Sequence, residues 1–506
     1  MMTHFMIRHQ PRKARQTEDY DNNDRSVLKM GKFINPLKPP EDDPGRYSLD
    51  DKGMGNAFAD SIKSEQRYVA DEKCWYYYNG VIWKKDHASV HVRESAKEYL
   101  DFLREEAEVV KQKLKDDTSM FEEKKEPYRA FLRIVGELAT NGARKKMLDE
   151  AMSVHPLSKS DFDTKMNLLN CLNCTIDLDT CEQKPHDPDD LITKVAPVSF
   201  DPEAKCPRWS DFALEIMDNE VDTEKYLQKS LGYGITGDTS QECLFIFYGP
   251  TTRNGKGTTM ESIMNVLGDY ALNMQPDSLA KRKRYSGSTA TPDIARNMGV
   301  RLVNVNEPAE DMVFDAAIIK QLTGSDTITT RFLYGNSFDY RPQFKLFIST
   351  NHLPAVTDDT LFSSGRIKVI LFKRHFKENE QDRNLKSLFR TEESKSAILN
   401  WLLDGLKMYK DEGLEAPESV KAATSSYRQE TDTVGLFIKE ATVKNVKAEA
   451  RKTSEAYKFY TRWCNDSNLK AVELKSFVGL MRNAGLVKRD GKLGNVVYGV
   501  DIKPVE

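Results

Sequence analysis

The stretch Leu244 to Ile263, LFIFYGPTTRNGKGTTMESI, constrains this chain more than any other. An apolar run ends in a glycine. Polar residues follow, and Gly255-Lys256 opens a segment able to start a helix. In a strand–loop–helix of this kind, backbone N–H groups and the start of the helix point at phosphate, and a lysine reaches the terminal phosphates. Gly249, Asn254, Gly255, Lys256, Gly257, Thr258 and Thr259 are therefore the candidate nucleotide contacts. The usual motif has four residues between the glycines and a Ser or Thr after the lysine. Here PTTRN intervenes and Gly257 follows the lysine. The hydroxyl that ordinarily touches Mg2+ is expected from Thr258, or from water in its place.

The rest of the chain bears on what such a site would do. Four short apolar runs appear, Cys243–Tyr248, Leu302–Val305, Phe344–Ser349 and Ile367–Phe372, and helical segments and loops separate three of them. That pattern predicts an α/β nucleotide-binding core. The run RLVNVNEP ends in Asn306-Glu307, and a carboxylate there can polarise an attacking water and hold Mg2+. FKLFISTN ends in Asn351, whose amide can orient that water. SSGRIKVILF puts Arg366 at the start of a strand, where it can reach a neighbouring subunit's phosphate or simply form a surface ion pair. The sequence GKGT also occurs in adenylate kinases, so a nucleoside monophosphate kinase competes as a reading of the loop alone.

Residues 1–46 are polar and Pro-bearing and read as a disordered tail, too short to hold a primase. Residues 47–200 read as a mixed α/β domain, with a hairpin signal in CWYYYNGVIWKK and amphipathic helices over 92–152. Residues 201–240 read as a helical segment stopped by Gly232, Gly234 and Gly237. Residues 241–412 form the core, and 413–506 a basic, helical C-terminal domain. Its end, AVELKSFVGLMRNAGL followed by VKRDGKLGNVVYGV, has the helix, strand, turn, strand layout of a winged helix. Lys475, Arg482, Lys488, Arg489 and Lys492 would give it a basic face for DNA, although such domains also dock proteins.

The net charge of −3 gives no general support for a nucleic-acid coat, so any such surface is local. The seven cysteines are few and odd in number, which argues against a disulfide framework and for a reducing cytoplasm. No apolar run approaches a membrane span, and the first residues lack a signal peptide's apolar core. Cys171 and Cys174, with Cys181 and His186 downstream, raise a zinc site, but without a second C-x-x-C buried structural thiols are the preferred reading. The basic run AKRKRYSG, 280–287, reads as a solvated loop.

Taken in order, GPTTRNGKGTT, VNVNEP, KQLTGSDTITTR, FKLFISTNHLP and SSGRIKVILF resemble the successive motifs of superfamily 3 helicases, most closely the phage, plasmid and poxvirus-type primase-helicases. The likeness extends over roughly residues 47–506. It implies an AAA+ core, ATP bound between subunits of a ring, usually a hexamer, and 3′ to 5′ movement on single-stranded DNA. By position it makes Lys256 the phosphate lysine, Glu307 the Walker B acid, Asn351 sensor 1 and Arg366 the arginine finger. Many family members have two acids at Walker B; here the first is Asn306. Lys320 and Arg331 fall between Walker B and sensor 1. Thr327–Phe344 is expected to be a pore hairpin, with Tyr334 stacking on a base, Asn336 in the turn, and Arg331 and Lys345 tracking phosphates; a hairpin buried in a subunit interface is the plainer alternative. These implications make the chain an ATP- and Mg2+-dependent DNA helicase of a phage or mobile element, acting on single-stranded and forked DNA in a bacterial cytoplasm, with a separate primase or initiation partner. A non-unwinding initiator or loader is the alternative.

Overall fold

The computed structural model describes residues 33–502 save 117, 282–290, 334–336, 446, 468 and 470. The chain divides into two compact units, Met1–Tyr78 with Lys84–Lys159, and Asn79–Trp83 with Ser160–Glu506.

In the first unit the charged, periodic segment folds as three consecutive helices, Val90–Asp116, Thr118–Leu138 and Asn141–Ala151, joined by an earlier one, Asp51–Ile62. Val92, Ala96, Tyr99, Leu100, Leu103 and Ala107 recur at helical spacing and are all buried. They close on Phe58, Phe131 and Met147 from the other helices. Asp50 and Thr140 cap two of these helices, accepting from Gly53 and Ala143 N–H.

In the second unit a helix pair precedes the main sheet. The helix Val221–Gly234 runs through Gly232, which the sequence had marked as a stop. The reason is a crossing. A Cβ on Gly232 would lie 2.3 Å from Leu406 N, and one on Gly405 would lie 2.2 Å from Gln228 O, so the backbones of Val221–Gly234 and Glu392–Glu412 touch. Here glycine is needed for close approach and the helix carries on past it.

The sheet has five strands: β1 (Leu244–Tyr248), β2 (Ala271–Met274), β3 (Leu302–Asn306), β4 (Lys345–Thr350) and β5 (Ile367–Leu371), in the order β5-β1-β4-β3-β2 and parallel throughout. Parallel strands covered on both faces read as continuous apolar runs, which is why β1, β3, β4 and β5 were visible in the sequence. Strand β2 lies at the edge with only its end residues buried, and its short ALNM gave no such signal. Phe245, Phe247 and Phe347 face one apolar core together with Met260 and Ile263 of the helix Lys256–Leu267. Ile246, Val303, Val305 and Ile348 face the other. Each fully buried side chain of this kind contributes about 1.5–3 kcal/mol.

Beyond the core, the chain forms the helix Thr433–Ala441, the short strand Arg451–Lys452, the helices Thr453–Asp466 and Leu474–Asn483, and the strands Val487–Asp490 and Gly494–Val497. The strand Gly494–Val497 lies between Arg451–Lys452 and Val487–Asp490, and Phe437, Tyr460 and Phe477 form the core beneath. Among the described residues no helix is long and apolar enough to cross a membrane.

Candidate active site

All five strands run the same way, so the loops after β1, β3 and β4 leave one edge of the sheet together. Ligands in open parallel sheets bind at that edge. After β1 the chain turns through Gly249. A Cβ there would fall 2.2 Å from Asn254 Nδ2 and 2.9 Å from Lys256 Nζ, so only glycine lets the loop fold back on itself. Gly255 caps the following helix at φ 87°, and its Cβ would strike Ile216. Both glycines expected in the loop therefore have a steric reason. Asn254 is buried and donates to Thr251 O, closing the turn. From outside, His375 Nδ1 lies 2.8 Å from Thr252 O, and Phe376 N–H donates to Arg253 O. This brace was not foreseen; a basic run after β5, KRHFK, was its sole trace in the sequence.

Lys256 is the first residue of the loop helix and is buried. Its Nζ donates to Asn351 Oδ1 at 2.8 Å and to Gly249 O at 3.4 Å. Asn351 follows β4 directly. Glu307 follows β3, is exposed, and takes φ 47° while its N–H donates to Ser349 O. Burial pushes the Lys256 ammonium down to about 8, and the Glu307 carboxylate opposes that shift. Lys256, Glu307 and Asn351 thus come together at one edge of the sheet. A nucleotide phosphate would favour the ammonium form, so affinity should be flat below pH 8 and fall above it as the free protein loses the proton. Between pH 7.5 and 9 the expected weakening is roughly eightfold. A titration of nucleotide affinity against pH checks this, with Lys256→Arg expected to flatten the profile.

Arg366 is not part of that group. It precedes β5, and its carbonyl accepts from Leu244 N–H at the start of β1, so it lies a strand's length, roughly 16 Å, from the loop edge. Its side chain is 15% exposed, and its guanidinium donates to Glu242 Oε2 at 2.6 Å and Thr323 Oγ1 at 2.9 Å.

The oxygen-rich side chains beside the loop suit a hard divalent cation such as Mg2+. Thr259 does not serve: it is buried and its hydroxyl donates to Gly255 O at 3.1 Å. Thr258 is half-buried, and a Cβ at Gly257 would meet nothing within 4 Å. Asn306 and Glu307 are exposed, whereas Ser349 is buried with its Oγ lacking any partner. That orphaned hydroxyl and the open space at Gly257 leave room and an unused polar atom for a hydrated Mg2+.

The nucleic-acid candidates fare unevenly. Lys345 cannot follow a phosphate backbone. It is buried at the start of β4, where its ammonium donates to Thr236 O and Asp238 O and lies 4.7 Å from the Tyr233 ring centre. Burial and the neighbouring Arg301 hold its pKa well below the usual lysine range. Lys320 is half-buried and paired with Asp358 at 2.9 Å. Arg331 ends the strand Ile328–Arg331, which pairs antiparallel with Ser337–Tyr340. The hairpin is pinned at both ends of its strands: near the turn Thr330 Oγ1 lies 2.7 Å from Thr291 Oγ1, and at the base Tyr340 OH donates to Ile294 O. Tyr334 and Asn336 lie outside the described residues. Beside them Phe332 is 47% and Leu333 63% exposed; this apolar pair directly before Tyr334 in the sequence was the overlooked signal. Lys475, Arg482, Lys488, Arg489 and Lys492 are all exposed on the helix Leu474–Asn483, the strand Val487–Asp490 and the turn after it.

Cys171 and Cys174 are buried at the turn between the strands Leu168–Asn170 and Thr175–Asp177, and His186 Nδ1 lies 3.2 Å from Thr175 Oγ1. No group of three or more His, Cys, Asp or Glu is placed to hold a metal among the described residues. The basic run at 280–287 lies largely outside the described residues.

Comparison with known proteins bears on the same segments. Residues 55–218 match the D5 N terminal like family, and residues 247–366 match a family of unknown function, DUF5906, that spans the loop, Glu307 and Asn351. Both matched segments are typical of the D5-type superfamily 3 primase-helicases, which the chain resembles. Among the relatives of this chain is the "Putative helicase L207/L206" of Acanthamoeba polyphaga mimivirus, 25% identical over 386 residues, covering 72% of this chain and 40% of that protein. Another is the "Putative helicase 022R" of Frog virus 3 (isolate Goorha), 27% identical over 245 residues, covering 45% of this chain and 25% of that protein. The chain spans 25% to 50% of the length of the curated relatives it matches. These relatives are viral, and the expectation of a phage in a bacterial host draws no support from them. Among solved structures, the apo C-terminal region of NrS-1 matches with a TM-score of 0.38 and 13% identity, covering 60% of this chain and 78% of that one.

Proposed function

We propose that this chain is a DNA helicase motor that hydrolyses ATP, assembles head-to-tail into a ring, usually hexameric in the family, and moves 3′ to 5′ along single-stranded DNA. The observation that carries the reading is the meeting of Lys256, Glu307 and Asn351 at the edge where β1, β3 and β4 end. Lys256 holds the terminal phosphates, Glu307 polarises the attacking water and Asn351 orients it. Bound Mg2+ would neutralise charge on the phosphate oxygens; Thr258, Asn306, Glu307 and Ser349 are the side chains able to hold it or its waters. Arg366, far from its own Lys256, acts on the nucleotide of the neighbouring copy, where leaving Glu242 frees it to do so. A nucleoside monophosphate kinase has no need of a sensor amide on a central strand together with an arginine at the opposite end of the sheet.

The C-terminal helices and short strands support a winged-helix reading, and the exposed Arg482, Lys488, Arg489 and Lys492 suit contact with DNA phosphates. The hairpin Ile328–Tyr340 is assigned to the pore, with Tyr334 stacking on a base, an interaction worth ~1–3 kcal/mol. The test is strand displacement on a forked substrate with ATP, run beside hydrolysis with and without single-stranded DNA. Tyr334→Ala is expected to lose displacement by a larger factor than DNA-free hydrolysis. DNA-stimulated hydrolysis with no displacement in the wild type would favour an initiator or loader, and displacement unchanged by Tyr334→Ala would remove that residue from the pore.

A further inference from the structure

Position 257 is where phosphate-binding loops ordinarily carry the hydroxyl that touches the metal. Gly257 has none, and the space around its missing Cβ is open. Successive residues of a helix project about 100° apart, so Thr258 points away from the direction a side chain at 257 would take, and the Thr259 hydroxyl is committed to Gly255 O. The loop helix therefore offers the metal no side chain in the usual direction. The first Walker B position is also altered, to Asn306.

The sheet beneath supplies an unused hydroxyl. Ser349 on β4 is paired in register with Asn306 on β3 and with Phe247 on β1. By the two-residue alternation of a strand, Ser349 shares a face with Phe347. Phe347 packs in the same core as Met260 and Ile263 of the loop helix, so this is the face the helix covers. Ser349 is 6% exposed, and its Oγ has no hydrogen-bond partner. A buried hydroxyl left unpaired is costly, and such a group calls for water or an ion to satisfy it. Its backbone carbonyl also fixes Glu307, accepting that residue's N–H at 2.9 Å.

We propose that Ser349, together with Asn306, orders the water shell of the nucleotide-bound divalent cation in place of the hydroxyl missing at position 257. Ser349 is a positioning residue in this arrangement. It acts through water from the sheet side, and Asn306 contributes an amide oxygen where family members often carry an acid. The cation is then held mainly by the nucleotide phosphates and by water. The inference rests on the nucleotide site proposed above.

The test uses the full chain and a fluorescent ATP analogue, with binding measured across a Mg2+ titration and in EDTA. Ser349→Ala is expected to raise the Mg2+ midpoint about fivefold, the usual worth of one hydrogen bond, and to leave metal-free affinity unchanged. Mn2+ bound with ADP should show an altered paramagnetic resonance spectrum in the same variant. Gly257→Ser, placed in open space, should lower the midpoint in the wild type and restore it in Ser349→Ala. If Ser349 were only a core residue, Ser349→Ala would raise the melting temperature and leave the Mg2+ midpoint alone, which overturns the proposal. A midpoint shift in Thr258→Ala with none in Ser349→Ala overturns it as well. Should Ser349→Ala fail to fold, an unmoved midpoint in Gly257→Ser overturns it. Wild-type protein that binds no analogue with or without Mg2+ would instead overturn the nucleotide site itself.

Discussion

Lys256→Ala is expected to reduce ATP hydrolysis by roughly a thousandfold or more while leaving the fold intact. The phosphate charge loses the cation aimed at it, and preorganised charges of this kind dominate phosphoryl transfer. The fold should survive because the ammonium adds little to it. Burial already disfavours the charged form, whose pKa falls to about 8, and its two partners, Asn351 Oδ1 and Gly249 O, are oxygens that water can satisfy. A melting temperature within a few degrees of wild type, with hydrolysis at background, is the expected pair of measurements. Hydrolysis near the wild-type rate in a folded Lys256→Ala protein would eliminate the loop as the site of chemistry.

Arg366→Ala should have an effect of comparable size by a different route. Finger arginines contribute about 10³–10⁵ in turnover. Here Arg366 immediately precedes β5, at the end of the sheet away from its own Lys256. If it works in catalysis it must serve another copy of the chain, and a head-to-tail interface that repeats closes into a ring. The variant should therefore bind ATP normally and fail to hydrolyse it. Mixing Arg366→Ala with Lys256→Ala subunits should restore part of the activity, at interfaces that receive an intact lysine from one copy and an intact arginine from the next. The competing role is structural, through Glu242 and Thr323. Loss of that ion pair alone, with Glu242 47% exposed, would cost at most about 1 kcal/mol of stability and leave turnover in place. A fully active monomer, or an active Arg366→Ala protein, would rule the finger out.

The sequence by itself determined the kind of core and the order of its parts. Strands covered on both faces must be apolar along their length, so β1, β3, β4 and β5 were legible without any knowledge of their neighbours. The loop glycines were legible for a similar reason, since a turn this tight tolerates no Cβ at Gly249 or Gly255, and the polar residues ending β3 and β4 marked Glu307 and Asn351. Which strands lie side by side was a tertiary decision. It put β4 between β1 and β3, brought Asn351 within 2.8 Å of Lys256, and carried Arg366 to the opposite end. Lys345 shows the limit most plainly. A lysine opening a strand after a hairpin reads as exposed, and only the fold provides the carbonyls of Thr236 and Asp238 that take it inside. Gly232 was misread in the same way, because its partner Gly405 stands far along the chain. Ser349 looked like one more strand residue. Local patterns record burial and turn geometry, since those act over a few residues. Charge pairing, helix crossings and unpaired buried hydroxyls depend on groups distant in sequence, and only the folded chain brings them together.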